Sequence, residues 1–391
     1  MLAYHKNVRL LSIFNFLIGF SLFAPLAIIY FSKVSGSFTL GTSVFGIIML
    51  SSAIFEVPTG VWSDKVGRKY TVVLGSWARV AAFILYAIGL SYWWLVVGAV
   101  MEGLSRAFYS GNNDALLYDS LADEQNQENY DEFQGKVSST EQFAMGISAV
   151  LSGLIVFFSF NYLLWFSVLI QICMLGVSYF MIEPKHHSLK NTNVFAHIKE
   201  AVYLFIHNKK LRLLSLASIL GYSIGELKWE FNSAFVATVW PAWAIGISKT
   251  LPSFGASISF YFSGKLIKKF QALKILLFGS IYGKVVNLLS LIFASVLSPL
   301  IMSTTSFLHG VNSIAKKTLM QKEFTNHQRA TMSSLNSLGG SVGFFFMSLV
   351  LGGLADLMGP AKALIVMTLI GLPEIFIYWL LFKREKRSLA Q

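Results

Sequence analysis

Glu102, Arg106, Tyr109 and Asn113 are spaced so that one helix would hold all four within about 60° of each other. Glu102 and Arg106 stand four apart and can pair along a helix face. A stripe of carboxylate, guanidinium, phenol and amide can bind a polar molecule or exchange a proton. A permanent ion pair between helices explains the first two residues nearly as well. Tyr222, Glu226 and Glu230, with Trp229 beside them, repeat the pattern, and His309, Asn312 and Lys316 form a third helical set. None of this is equipment for covalent catalysis. The sequence has no phosphate-cradling loop ending in Lys-Ser/Thr, no His-Glu-x-x-His and no nucleophile elbow, so no enzyme is expected. Cys173 has no disulfide partner and reads as a small buried apolar residue. The His186–His187 pair lacks a third ligand nearby, so neither a metal nor a cofactor is called for.

The elements that must position these groups follow from composition. Of 391 residues 55% are hydrophobic and 13% charged, and 34 are phenylalanine. Mean hydropathy is +0.62. A soluble domain carries about twice that charged fraction. Apolar runs of roughly 20 residues recur, each enough to cross a hydrocarbon layer about 30 Å thick as a helix. The alternation of a transmembrane barrel is missing, which leaves closed helices. The expected fold is an all-α polytopic membrane protein of twelve transmembrane helices: about 8–32, 39–61, 70–90, 93–116, 137–158, 161–182, 211–232, 240–263, 271–294, 297–318, 330–354 and 361–382.

Net charge is +12, but its placement speaks of a membrane and not of nucleic acid. Only Lys33 and Lys362 fall in odd-numbered connections; most of the 31 Lys and Arg lie at the termini and in even-numbered ones. This positive-inside pattern puts both termini in the cytoplasm. The connection at about 119–136 is acidic, with Asp119, Asp123, Glu124, Glu128, Asp131 and Glu132. The longest connection, 183–210, separates an N-terminal six-helix bundle (1–182) from a C-terminal one (211–391). Phe195, Ile198, Val202, Phe205 and Ile206 in it, interleaved with lysines, suggest an amphipathic helix on the inner leaflet. Between spans 2 and 3 runs Gly60-Val-Trp-Ser-Asp64-Lys-Val-Gly67-Arg68-Lys69-Tyr70, and about 200 residues later comes a worn copy, Ser263–Phe270. In that alignment Arg68 meets Lys268 and Lys69 meets Lys269, while Asp64 and Gly67 have no counterpart. A basic turn recurring at half the chain length indicates duplicated halves.

Twelve spans divided six and six, with Gly60-x-x-x-Asp64-x-x-Gly67-Arg68-Lys69 at that connection, resemble the major facilitator superfamily over essentially the whole chain. The resemblance implies that this loop braces one conformational state and that two pseudo-symmetric halves rock about a central site lined by spans 1, 4, 7 and 10. Its glycines would allow tight turns, and Asp64 would accept hydrogen bonds from a neighbouring helix N-terminus. Arg68 needs an acidic partner, for which Asp114 or Asp119 are the candidates.

Ionisable groups inside spans are costly and default to function. Glu56, Glu102 and Glu226 are the candidate proton carriers. Asn15, Glu102, Arg106, Tyr109, Asn113, Tyr222, Glu226, Trp229, His309 and Asn312 are the candidate cavity residues. Arg79, Lys249, Lys284 and Glu374 show no partner, although Lys249 or Lys284 is available to Glu226. Lys316 is expected to snorkel to the inner surface. The expected function is secondary active transport of a small organic solute in the cytoplasmic (inner) membrane, by a monomer and with proton-coupled efflux of drug-like compounds foremost. A proton-linked importer of a nutrient or organic anion, a lysolipid flippase and a non-transporting scaffold or sensor are the alternatives.

Overall fold

The computed structural model describes residues 2–123, 130–184, 208–322 and 329–388. Among these the secondary structure is helical throughout. The expected interfacial helix, with His186 and His187, and the acidic residues Glu124 and Glu128 lie outside the described residues.

Eight of the expected spans are single helices: α3 (Phe38–Val66), α4 (Arg68–Ile88), α7 (Tyr130–Phe158), α8 (Phe160–Tyr179), α9 (Lys209–Val239), α10 (Ile245–Phe270), α11 (Ala272–Ile292) and α14 (Arg329–Met358). The others are interrupted. The first comprises α1 (Leu2–Gly19), a 3-10 turn at Ala24–Leu26 and α2 (Ala27–Ser35). The fourth divides into α5 (Tyr92–Tyr109) and α6 (Asn112–Ala122). The tenth holds α12 (Ser298–Ser303), a 3-10 segment and α13 (His309–Lys322), and the twelfth holds α15 (Pro360–Ile370) and α16 (Pro373–Ser388). Pro25 and Pro373 sit at the breaks of the first and twelfth spans, where a missing N–H and a ring that clashes upstream stop a helix, and Pro299 starts α12. The fourth breaks at Gly111, whose φ of +67° only glycine adopts freely. The stripe Glu102–Asn113 is therefore not one continuous helical face: Asn113 follows the break.

Seven stretches among the described residues are long and apolar enough to cross a bilayer: Lys6–Ser35, Phe38–Val66, Arg68–Ile88, Phe160–Tyr179, Ala272–Ile292, Leu335–Met358 and Pro360–Glu385. Large apolar side chains such as Trp93, Phe157, Phe158 and Phe278 stand exposed, as a lipid-facing surface requires. Cys173 is exposed too, contrary to its expected burial. In a bilayer an apolar side chain gains little by turning inward, so hydropathy does not decide its side.

The chain forms two compact units: Met1–Asn191 with Ala242–Thr250, and Thr192–Pro241 with Leu251–Gln391. In the first, Leu11 and Phe14 of α1 pack with Val72 of α4, Leu116 and Leu121 of α6, Val137 of α7 and Met174 of α8. In the second, Leu214 of α9, Leu276 of α11, Val311 and Ala315 of α13 and Tyr378 of α16 form the corresponding core. Asn7 adds a polar clasp to the first unit. Its Nδ2 donates to Ser120 Oγ at 2.8 Å and to the Ile182 carbonyl at 2.9 Å, while its Oδ1 accepts from Ile182 N at 2.8 Å. Asn7 is buried, so Asn7→Ala removes three hydrogen bonds and leaves buried Ser120 Oγ without this donor. We expect it to cost about 1–3 kcal/mol, read as a lower unfolding temperature of the purified protein; an unchanged midpoint would refute the clasp.

Candidate functional site

Three polar constellations stand out, two in the first unit and one in the second. At the α3–α4 turn, Gly67 takes φ +112° and ends one helix while starting the next. A side chain there would also collide with the Glu183 carboxylate. That carboxylate caps α4, accepting from Arg68 N and Lys69 N at 2.7 Å each. An anion at a helix N-terminus meets both unpaired N–H groups and the positive end of the dipole. Asp64 was the expected capping group, yet its side chain is 53% exposed and lies 3.1 Å from Arg68 Nη1. Gly60 is likewise not at a turn: α3 runs through it to Val66.

Arg68 does meet Asp119, Nε to Oδ2 at 3.5 Å, in a place where the two side chains are 15% and 9% exposed. Its Nη1 also donates to Ser63 Oγ at 2.9 Å. Ser63 in turn donates to Asn112 Oδ1 at 2.5 Å, and Asn112 Nδ2 donates to the Arg68 carbonyl at 3.0 Å. The end of α3, the start of α4, α6 and the segment following α8 are thus tied by one network around Arg68. Asp114 is not in it; it borders a cavity instead. In the worn copy the turn falls at Gln271, φ +66°, four residues beyond the aligned position, so Lys268 and Lys269 end α10 where Arg68 and Lys69 begin α4. The pairing of those lysines with Arg68 and Lys69 is off by about one helical turn.

The second constellation is a cavity of about 170 Å³ lined by Leu11, Asn15, Tyr109, Asn113, Asp114, Leu117, Val137 and Glu141. It brings α1, α5, α6 and α7 together. Asn15, Tyr109, Asn113 and Asp114 were expected at a site, and Glu141 was missed. Asn15 Nδ2 is bonded to the Leu11 carbonyl at 2.9 Å, and Tyr109 OH donates to Ser76 Oγ at 3.1 Å. Asn113 Oδ1 is buried without a hydrogen-bond partner, and half-buried Glu141 has no hydrogen bond or ion pair among the described residues. Both charges on the cavity wall are negative. Glu102 behaves differently. It is buried and held by Arg106 (Nη2 2.8 Å, Nε 3.2 Å) and by Tyr86 OH at 3.0 Å, and it does not line this cavity. Arg79 is also buried and engaged, donating from Nε to Gln171 Oε1 at 2.9 Å across α4 and α8.

In the second unit Lys284 Nζ meets Glu374 Oε2 at 2.7 Å, so neither is the partnerless group expected and Glu374, not Glu226, holds Lys284. The pair crosses from α11 to α16 as Arg79–Gln171 crosses from α4 to α8: third to sixth span in each half. Lys228 of α9 lies on the same cavity, as do Gly221, Gly283 and Thr368. The other expected residues sit elsewhere. Tyr222 packs beside Gly340 of α14, His309 sets its ring edge against Phe260 at 6.0 Å, and the Asn312 amide lies against Gly279. Glu226 and Trp229 are half-buried on α9, and half-buried Lys316 is within Coulombic reach of Glu226 and Glu374. Glu56 is half-buried next to Pro58 and touches neither cavity. Glu141 and Lys228 were legible as charges inside spans; Glu183 carried no such signal, being one carboxylate at the edge of a connection.

Comparison with known proteins agrees with this geometry. The family model of the Major Facilitator Superfamily matches residues 10–347. A transporter of Buchnera aphidicola, BU466, is 30% identical over 205 residues, so the match spans about half of each chain (49% and 48%). The quinolone resistance protein NorA of Staphylococcus aureus is 23% identical over 357 residues, 88% of each chain. Among solved structures the nucleoside transporter NupG superposes with a TM-score of 0.80 at 11% identity, over 98% of this chain and all of the other, a likeness of fold alone. The matched model covers most of the sequence and the helical units have the fold it describes: the chain is a multi-pass membrane protein and belongs to the Major Facilitator Superfamily of secondary active transporters.

Proposed function

We propose that the protein exports small amphiphilic cations in exchange for protons across the cytoplasmic membrane, working by alternating access as a monomer of twelve spans with both termini inside. The observation that carries this reading is the first-unit cavity, where Glu141 and Asp114 place two carboxylates beside the amides of Asn15 and Asn113. Carboxylates in a membrane-embedded pocket attract either a proton or a cation. A group that alternates between the two couples their movements in opposite directions. Glu141 is suited to that role because no described residue hydrogen-bonds it or lies within ion-pair distance, Arg79 acting on it only through its field, whereas Glu102 is occupied by Arg106 and Tyr86. The cavity, about 170 Å³, accommodates the cationic end of a drug-sized molecule and not its whole bulk. The relative named for quinolone resistance supports drug-like cargo. An acidic lining counts against the organic-anion importer.

The Arg68 network is proposed as the conformational brace. Asp119, buried, fixes the guanidinium from α6, Glu183 fixes the backbone from the segment following α8, and half-exposed Asp64 is the member able to exchange partners.

In proteoliposomes with an imposed pH gradient, wild-type protein should move ethidium, Glu141→Gln should lose at least about tenfold of the gradient-driven rate, and Glu102→Gln should keep its pH dependence. If ethidium movement ignores the gradient, or if the two variants exchange behaviours, the reading fails. For the brace, Asp64→Asn should change stability by less than about 1 kcal/mol, the range of exposed pairs, while slowing turnover. Asp119→Asn should destabilise clearly more, since it leaves part of the Arg68 charge buried without its partner. Thermal unfolding of both variants beside their transport rates checks the order.

A further inference from the structure

The second unit encloses a cavity of about 160 Å³ among α9, α11, α15 and α16 that the exchange reading above does not use. Two ammonium groups and one carboxylate border it: Lys228, Lys284 and Glu374. Glu374 is committed to Lys284 at 2.7 Å, the two side chains being 17% and 14% exposed. Gly221 helps to hold it there, since a Cβ at that position would lie 2.6 Å from Glu374 Oε1. Lys228 has no carboxylate within ion-pair distance among the described residues. Its Nζ donates to Thr368 Oγ1 at 2.6 Å, and that hydroxyl spends its own proton on the Leu364 carbonyl at 2.7 Å. Two further ammonium N–H directions are left over, and with Lys228 protonated the cavity holds one more positive than negative charge. Inside a hydrocarbon layer such an excess invites an anion.

The walls say which kind. Leu220 and Ile224 supply apolar surface, Ser280 a hydroxyl, and Gly225 and Gly283 bare backbone where a Cβ would meet nothing within 4 Å. Space for roughly five waters, judged by their share of liquid volume, next to mixed apolar and cationic walls suits an anion with a short apolar body. We propose that this cavity is a second binding site, taking a small organic monocarboxylate with its charged end on Lys228 and its apolar part over Gly225 and Gly283. The carboxylate comes either from water or from the bilayer, a fatty acid placing only its head and first carbons in the cavity. The site does not depend on proton exchange in the first unit, because binding is an equilibrium property read without a gradient.

The test is thermal unfolding of the purified full-length protein in a non-ionic detergent, titrated with sodium acetate, benzoate or laurate against sodium chloride at equal ionic strength. The expected result is a saturable rise in Tm with carboxylate and none with chloride. Acetate or benzoate activity assigns an aqueous source, and laurate alone a bilayer source. Lys228→Gln should weaken binding at least tenfold by removing the cation. Gly283→Leu should do so by filling the space with every charge retained. No saturable shift with any carboxylate, an equal shift with chloride, or shifts preserved in both variants would overturn the proposal.

Discussion

A charge inside a hydrocarbon layer must be matched by something, and this constraint organises the whole molecule. Water cannot supply the match, so the protein, a ligand or a proton does. Arg79 is hydrogen-bonded by Gln171 and lies in the field of Glu102 and Glu141, Glu102 is held by Arg106 and Tyr86, and Lys284 is matched by Glu374. Each of these contacts costs desolvation on both sides and so contributes less stability than its short distance suggests. Their larger effect is geometric. Arg79–Gln171 and Lys284–Glu374 each join the third span of a half to its sixth, so helices that gain little from mutual apolar contact are fixed in register.

Against that background Glu141 and Lys228 are the informative groups. Each borders a cavity, and neither has an opposite charge within ion-pair distance among the described residues. The two have opposite sign and lie in different units, which gives each unit its own chemistry. The same logic explains the inner end of the first unit. The helix start at Arg68 exposes backbone N–H groups, and Glu183 satisfies two of them from the segment following α8. Arg68 is then free to use its guanidinium on Asp64, Asp119 and Ser63 at once.

Much of this was legible before any coordinates, and the failures have physical causes. Apolar runs were enough for an all-helical membrane fold, because hydropathy acts on whole segments. Partners across helices were not legible. Glu226 had Lys249 or Lys284 available to it, but which face of α9 meets α11 depends on helix rotation, and Glu374 of α16 is the residue within reach of Lys284. The polar stripe at Glu102 failed as a stripe because Gly111 breaks the helix between Tyr109 and Asn113, a break a uniform 100° count ignores. Its four residues nevertheless divide sensibly: Glu102 and Arg106 pair, and Tyr109 and Asn113 line a cavity. Glu141 was overlooked although it stands inside an expected span. Glu183 had no periodic pattern to reveal it.

One distinction is central: Glu102 is held by Arg106 and Tyr86 and is structural, whereas Glu141, on the first-unit cavity and outside ion-pair distance of any described cation, is the carboxylate proposed to exchange protons. Infrared difference spectroscopy of the purified protein through a pH titration reads carboxyl protonation directly. The protonated-carboxyl band that appears on acidification should disappear in Glu141→Gln and persist in Glu102→Gln. A band lost in Glu102→Gln and kept in Glu141→Gln would contradict it.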